Sequence, residues 1–134
     1  MTKKRILVID DNESLLKMLK ISLNNAGYES EILSDPFKAE QYIETFKPEL
    51  LLIDIFMPGR SGFNIVEDFN AKGIYKKIPK IFLTGLDDDI EKMTAMGIGV
   101  TSYITKPFKI QDLIDCIKNI FLKSLGDSEK ALKD

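Results

Sequence analysis

The stretch "LLIDIFMPGRSG", Leu51 to Gly62, decides the fold. With Leu50 before it, an unbroken apolar run reads as a strand covered on both faces of a sheet. The run ends on a carboxylate, Asp54, and then gives way to Pro58, Gly59 and Gly62, which interrupt regular structure. A charge at the end of a buried strand needs a partner there, and the rest of the chain shows what that partner is.

Working outward, four more short runs rich in Ile, Leu and Val read as strands: Arg5 to Ile9, Tyr28 to Leu33, Lys80 to Leu83 and Thr101 to Thr105. Tyr28 to Leu33 alternates polar and apolar residues, so it is expected at a sheet edge. Between the runs lie segments of helical period. Leu15, Leu16, Leu19, Leu23 and Ala26 form one face, stopped by Gly27. Asp35 followed by Pro36 is an N-cap with proline in the first helical position, and Ala39, Tyr42, Ile43 and Phe46 continue that stripe. Ile65, Val66 and Phe69 mark a third helix after Gly62. A fourth, from about Asp88 to Met96, rests on Ile90, Met93 and Met96, with the methionines as thin core packing. The fifth keeps spacings of three and four through Ile110, Leu113, Ile114, Ile117, Ile120 and Phe121, with Cys116 as a small packing residue beside them. Strand and helix alternate throughout, which implies an α/β, doubly wound (βα)5 architecture: a five-stranded parallel sheet of flavodoxin-like order 2-1-3-4-5. Residues 1–125 form one domain in this reading, and the charged tail 126–134 is expected to fray.

Composition narrows the function classes. The 134 residues carry 19 basic and 21 acidic side chains, a formal charge of -2, so no electrostatic footprint for nucleic acid or an anionic membrane is evident. A single cysteine cannot support a disulfide framework, and no apolar run approaches the roughly 20 residues of a membrane span. A cytoplasmic location is therefore expected. The chain has no histidine, so any histidine chemistry must come from a partner.

The polar residues at the strand ends answer the opening question. Strand one runs into Asp10 and Asp11, strand three into Asp54, strand four into Thr84, and strand five into Lys106 and Pro107. In a parallel sheet these ends share one edge, where doubly wound folds place their ligands. Order 2-1-3-4-5 makes strands one and three neighbours, roughly 4.8 Å apart, so the three aspartates converge. Like charges so placed raise one another's pKa and call for a cation. Oxygen ligands with no His or Cys nearby suit a hard ion, and a shallow loop site suits Mg²⁺ better than Ca²⁺. With Lys106 as a fixed positive charge and a hydroxyl from Thr84, the edge has the parts of a phosphoacceptor.

Taken with "ILVIDDN", "IFLTG" and "YITKPF" in order, the opening stretch resembles the receiver domain of two-component response regulators over roughly Arg5 to Phe121. The resemblance implies that Asp54 accepts a phosphoryl group, that Asp11 binds Mg²⁺ directly and Asp10 chiefly through water, and that the Phe56 backbone carbonyl is the third protein ligand. It further implies that Thr84 and Lys106 bind phosphoryl oxygens, that the Lys106–Pro107 bond is cis, and that Tyr103 and Thr84 form a switch. The implied donor is a sensor histidine kinase or a histidine phosphotransfer protein. The output lies in an unknown partner or a missing effector domain, and a stand-alone regulator and a cut receiver both fit. Thr101, Ser102 and lysines stand where dimerising DNA-binding relatives carry acidic residues and an arginine, so a monomer or weak dimer is expected.

Other readings compete. Asp54 alone could form an Asx-turn, Asp10 and Asp11 could cap the first helix with Asn12, and Asp87, Asp88 and Asp89 could simply favour a helix dipole. A haloacid-dehalogenase-like phosphatase needs a second Asp as acid and base where Phe56 stands. A flavodoxin-like binder of a phosphorylated cofactor needs hydroxyls and glycines where "DDNES" stands. A receiver-shaped scaffold that works without phosphorylation would not need the full set of five polar residues.

Overall fold

The apolar runs form the strands β1 (Arg5–Ile9), β2 (Glu29–Leu33), β3 (Leu50–Asp54), β4 (Lys80–Thr84) and β5 (Ser102–Thr105). Every pairing is parallel and the order is β2-β1-β3-β4-β5. The structure, a computed structural model, describes the backbone of residues 2–85, 94 and 96–133 and the side chains of those up to residue 125. The expected fourth helix therefore falls largely outside the described residues, as do Leu86, the acidic run Asp87 to Asp89, Ile90 and Met93.

The helices that alternate with the strands are α1 (Glu13–Asn25), α2 (Ala39–Phe46) entered through a 3-10 turn (Pro36–Lys38), α3 (Gly62–Lys72) and a C-terminal helix (Ile110–Lys133). Their ends follow from sequence. Asn12 accepts from the Leu15 N–H at 3.1 Å and so caps α1. Asp35 accepts from the Phe37 N–H at 3.0 Å ahead of Pro36, and Ser61 and Asn64 form a reciprocal capping box on α3. The C-terminal helix runs on to Lys133, so the tail that reads as fraying is helical. Glu, Lys, Ala and Leu in "EKALK" are strong helix formers, consistent with a helical backbone there.

Because successive strand residues face opposite sides, each strand contributes to two cores. Leu7, Ile9, Leu51, Ile53 and Phe82 meet Ala39 and Ile43 of α2 and Ile65, Val66 and Phe69 of α3 on one side. Ile6, Val8, Leu50, Leu52, Ile81 and Leu83 meet Leu16, Leu19 and Leu23 of α1 and Leu113 and Ile117 of the C-terminal helix on the other. Helices on both faces explain why β1, β3 and β4 read as continuous apolar runs, while β2 and β5 are the edges. Met96, read as core packing, is instead exposed. Val100, four residues on, is buried in the core on the α2–α3 side.

Gly62 fixes how α3 meets β3. A Cβ there would sit 2.6 Å from the Asp54 carbonyl oxygen, so only glycine lets the helix start this close to the end of the strand. The first helical turn thereby lies directly beside Asp54.

Candidate functional site

Register places the polar strand ends together. Ile9 pairs with Ile53, so the residues that follow, Asp10 and Asp54, emerge side by side at the same edge. One carboxylate oxygen from each of Asp10, Asp11 and Asp54 lies within 4.8 Å of the others. Asp10 and Asp54 are buried and Asp11 is exposed, so the cluster opens to solvent on one side. Thr84, buried at the end of β4, pairs with Thr105, and the Lys106 N–H donates to the Thr84 carbonyl at 2.6 Å. That bond continues the ladder and carries the Lys106 side chain over the cluster, where its ammonium lies 2.8 Å from Asp10 Oδ2 and 3.6 Å from Asp54 Oδ1. The Lys106–Pro107 peptide is cis.

Two further sequence candidates lie on the neighbouring loop and on β5. The Phe56 side chain is half-exposed, while its N–H donates weakly to Asp54 Oδ1 at 3.4 Å. Tyr103 lies on β5 paired with Phe82 and packs against the α2–α3 core. Asp10 accepts from the Asn12 N–H at 2.9 Å, so it braces the loop that enters α1, and the helix cap itself falls to Asn12.

The cluster is electrostatically strained. Burial, then the neighbouring charge of Asp10, pushes the Asp54 carboxyl up to about 7; Lys106 and the Phe56 N–H oppose that rise, and Asp11 adds to it. One ammonium is too little cation for three carboxylates. Three carboxylate oxygens with no His or Cys among them match the preference of a hard divalent ion such as Mg²⁺, so the donor set fits one.

Among the described residues, two buried cations escaped the sequence reading. Lys80 donates to the carbonyls of Tyr75 and Ile78, both at 2.7 Å, at the foot of β4, remote from the aspartates. Arg60 lies in the loop after β3 and bonds to residues 20 and 8 positions away. No local pattern announces the partners of Arg60, because only the folded chain brings them together.

The family described as "Response regulator receiver domain" matches residues 6–118. The phosphate regulon transcriptional regulatory protein PhoB of Pseudomonas aeruginosa is 31% identical over 99% of this chain and 58% of its own length. The alkaline phosphatase synthesis transcriptional regulatory protein PhoP of Bacillus subtilis is 31% identical over 90% of this chain and 50% of its own. The chain thus spans little more than half the length of these curated relatives. Among solved structures, the CheY-like response regulator receiver domain protein of Methanospirillum hungatei is 31% identical, with a TM-score of 0.81 over 96% of this chain and 98% of that one. The chemotaxis protein CheY4 of Vibrio cholerae superposes with a TM-score of 0.82 at 26% identity, over 88% and 98% of the two chains. With the family matched across most of its length and the fold shared with solved members, this chain belongs to the receiver domains of two-component response regulators.

Proposed function

We propose that the chain is a Mg²⁺-dependent phosphoacceptor: Asp54 receives a phosphoryl group from the phosphohistidine of a sensor histidine kinase or histidine phosphotransfer protein. The observation that carries the reading is the convergence of Asp10, Asp11 and Asp54 within 4.8 Å under the Lys106 ammonium. Asp10, Asp11, Asp54 and the Phe56 backbone carbonyl would hold Mg²⁺. When bound, the ion supplies positive charge to the oxygens of the transferring group.

An Asp54 carboxylate oxygen forms the new O–P bond as the donor's P–N bond breaks, and the electron pair leaves on the imidazole nitrogen, which solvent protonates. Lys106 and the Thr84 hydroxyl bind phosphoryl oxygens as the acyl phosphate forms. The chain lends its own charges to this transfer and turns over no other substrate, so it acts as a signalling domain. Thr84 is tied through its carbonyl to Lys106 and through register to β5, the strand of Tyr103. A pull on Thr84 is therefore passed to Tyr103, and the chain signals by that shift to an output partner or to an effector domain. Residues 1–125 make up the receiver, which works in the cytoplasm as a monomer or weak dimer and contacts no nucleic acid or membrane itself.

The test is labelling with acetyl phosphate. Wild type takes up one phosphoryl group per chain with Mg²⁺ and none after chelation, and Asp54→Asn takes up none. Labelling of Asp54→Asn at the wild-type level overturns the assignment.

A further inference from the structure

Arg60 is a charged side chain buried in the loop between β3 and α3, four residues beyond Phe56. Its guanidinium donates to three elements at once: the Pro36 carbonyl at 3.0 Å in the turn before α2, Glu40 Oε1 at 2.7 Å on α2, and Asp68 Oδ2 at 3.0 Å on α3. The same loop is gripped a second time. Gly59 adopts φ +82°, and a Cβ built on it would lie 3.0 Å from Cε2 of Phe37, so the Phe37 ring rests on the loop backbone. At its two ends the loop is tied to the sheet and to itself, by the Ile55 N–H on the Leu83 carbonyl at 3.0 Å and the Gly62 N–H on the Ile55 carbonyl at 2.8 Å. Between those ends, from Phe56 to Ser61, Arg60 and Phe37 supply the holds that come from α2 and its entry turn.

An isolated buried arginine is costly, and a single surface ion pair does not need one. A fork that reaches a carbonyl and two carboxylates on separate elements fixes a position in space, because the planar guanidinium constrains direction as well as distance. The loop it anchors also bears Phe56, with Met57 between the two buried in the core on the α2–α3 side. We infer that Arg60, with Phe37, is a positioning residue that sets the Phe56 backbone against the Asp10, Asp11 and Asp54 carboxylates and thereby tunes the affinity of the site for a divalent cation. The inference rests on the Mg²⁺ site of the proposed function and extends it to residues that touch neither metal nor phosphoryl group.

Charge and position act in opposite directions here, which makes the role measurable. Removing a positive side chain should, by electrostatics alone, tighten the binding of a cation. Loosening a ligand-bearing loop weakens it, by about tenfold, the low end of the loss seen when a residue that orients a metal ligand is removed. The experiment is Mg²⁺ titration of the phosphate-free protein by calorimetry, together with hydrogen exchange at the amides of residues 56–61. Arg60→Met should bind Mg²⁺ about tenfold more weakly, with faster exchange in the loop. Arg60→Lys, which keeps the charge and part of the reach, should recover part of the affinity. Phe37→Ala, at an exposed ring whose loss leaves the core intact, should weaken binding in the same direction and keeps the test open if Arg60→Met does not fold. Unchanged or tighter binding in Arg60→Met, or in Phe37→Ala if that variant alone folds, overturns the positioning role while leaving the proposed function standing. Absence of Mg²⁺ binding in wild type, with Asp54→Asn indistinguishable from it, overturns both.

Discussion

The Lys106 ammonium lies 2.8 Å from Asp10 Oδ2, nearer than its 3.6 Å approach to Asp54 Oδ1. Asp10 is fully buried, and a buried carboxylate stripped of its partner is strongly destabilising. Lys106 thus stands as a cation over one of the proposed metal ligands. Its ammonium competes electrostatically with a second cation at the same cluster. We expect Lys106→Ala to bind Mg²⁺ about tenfold more tightly, or ~1.4 kcal/mol, and to be less stable than wild type when metal-free. The phosphorylated variant should fail to signal. Calorimetric titration gives the affinity; weaker binding would mean that Lys106 holds Asp10 in place more than it competes.

Asp54 makes stability and metal binding depend on pH. Its folded-state pKa is pushed up to about 7, mainly by burial and by Asp10, whereas in the unfolded chain it titrates near 4. Between those values the native protein holds a proton that the unfolded chain has released. This group's contribution to stability is therefore greatest at low pH and declines as pH rises from about 4 to about 7. Urea midpoints of metal-free wild type and Asp54→Asn should converge or cross with falling pH, wild type gaining on the variant. Mg²⁺ affinity should rise with pH up to about 7 and then level off, since the ion displaces that proton. Parallel midpoint curves for the two proteins would remove Asp54 as the titrating group.

Close packing at the end of β3 sets an order among glycine substitutions. In Gly62→Ala the new methyl meets the Asp54 carbonyl at 2.6 Å, and backbone cannot swing away. A loss of about 1–3 kcal/mol is expected, with weakened Mg²⁺ binding because the displaced strand end carries Asp54. Gly59→Ala meets only the exposed Phe37 ring, at 3.0 Å, but must hold φ +82°, a conformation that costs an L-residue about 1–2 kcal/mol. Denaturant unfolding ranks the pair, and a Gly62→Ala protein as stable as wild type would show that α3 can retreat from β3 at little cost.

Much of this architecture was legible in the residues because it depends on coarse properties. The runs at Leu7, Leu51 and Phe82 are apolar on both faces, and alternation with helices then dictates parallel pairing and a common edge for Asp10, Asp54 and Lys106. Side-chain detail does not enter that argument. Where it does enter, the sequence was silent: it did not choose between Asn12 and the two aspartates as the cap of α1, nor indicate that Lys106 sits nearer Asp10 than Asp54. Arg60 lay beyond reach for the same reason, since its partners at Glu40 and Asp68 become neighbours only after the sheet is wound. At the C-terminal tail, whose charge led to an expectation of fraying, the backbone is helical to Lys133.

The lifetime of the phosphoryl group on Asp54 should be set by two apolar residues, Phe56 and Leu86, the first half-exposed on the loop and the second outside the described residues. Hydrolysis of an acyl phosphate needs a water aligned opposite the leaving carboxylate. Phe56 follows Asp54 by two positions and Leu86 follows Thr84 by two, and both are expected to border that approach. Neither side chain can donate or accept a hydrogen bond, so neither can orient that water, and their bulk lowers its occupancy. Slow self-dephosphorylation is expected. Phe56→Asn combined with Leu86→Glu adds an amide and a carboxylate that can hold the water, and should accelerate loss of label by about tenfold or more, the range in which general-base and positional effects act. Decay of the labelled protein after donor removal, at constant Mg²⁺, measures it. Because both changes leave Asp10, Asp11, Asp54, Thr84 and Lys106 intact, uptake of label should persist. An unchanged or slower decay in the double variant would assign the lifetime to the charges of the site in place of water access.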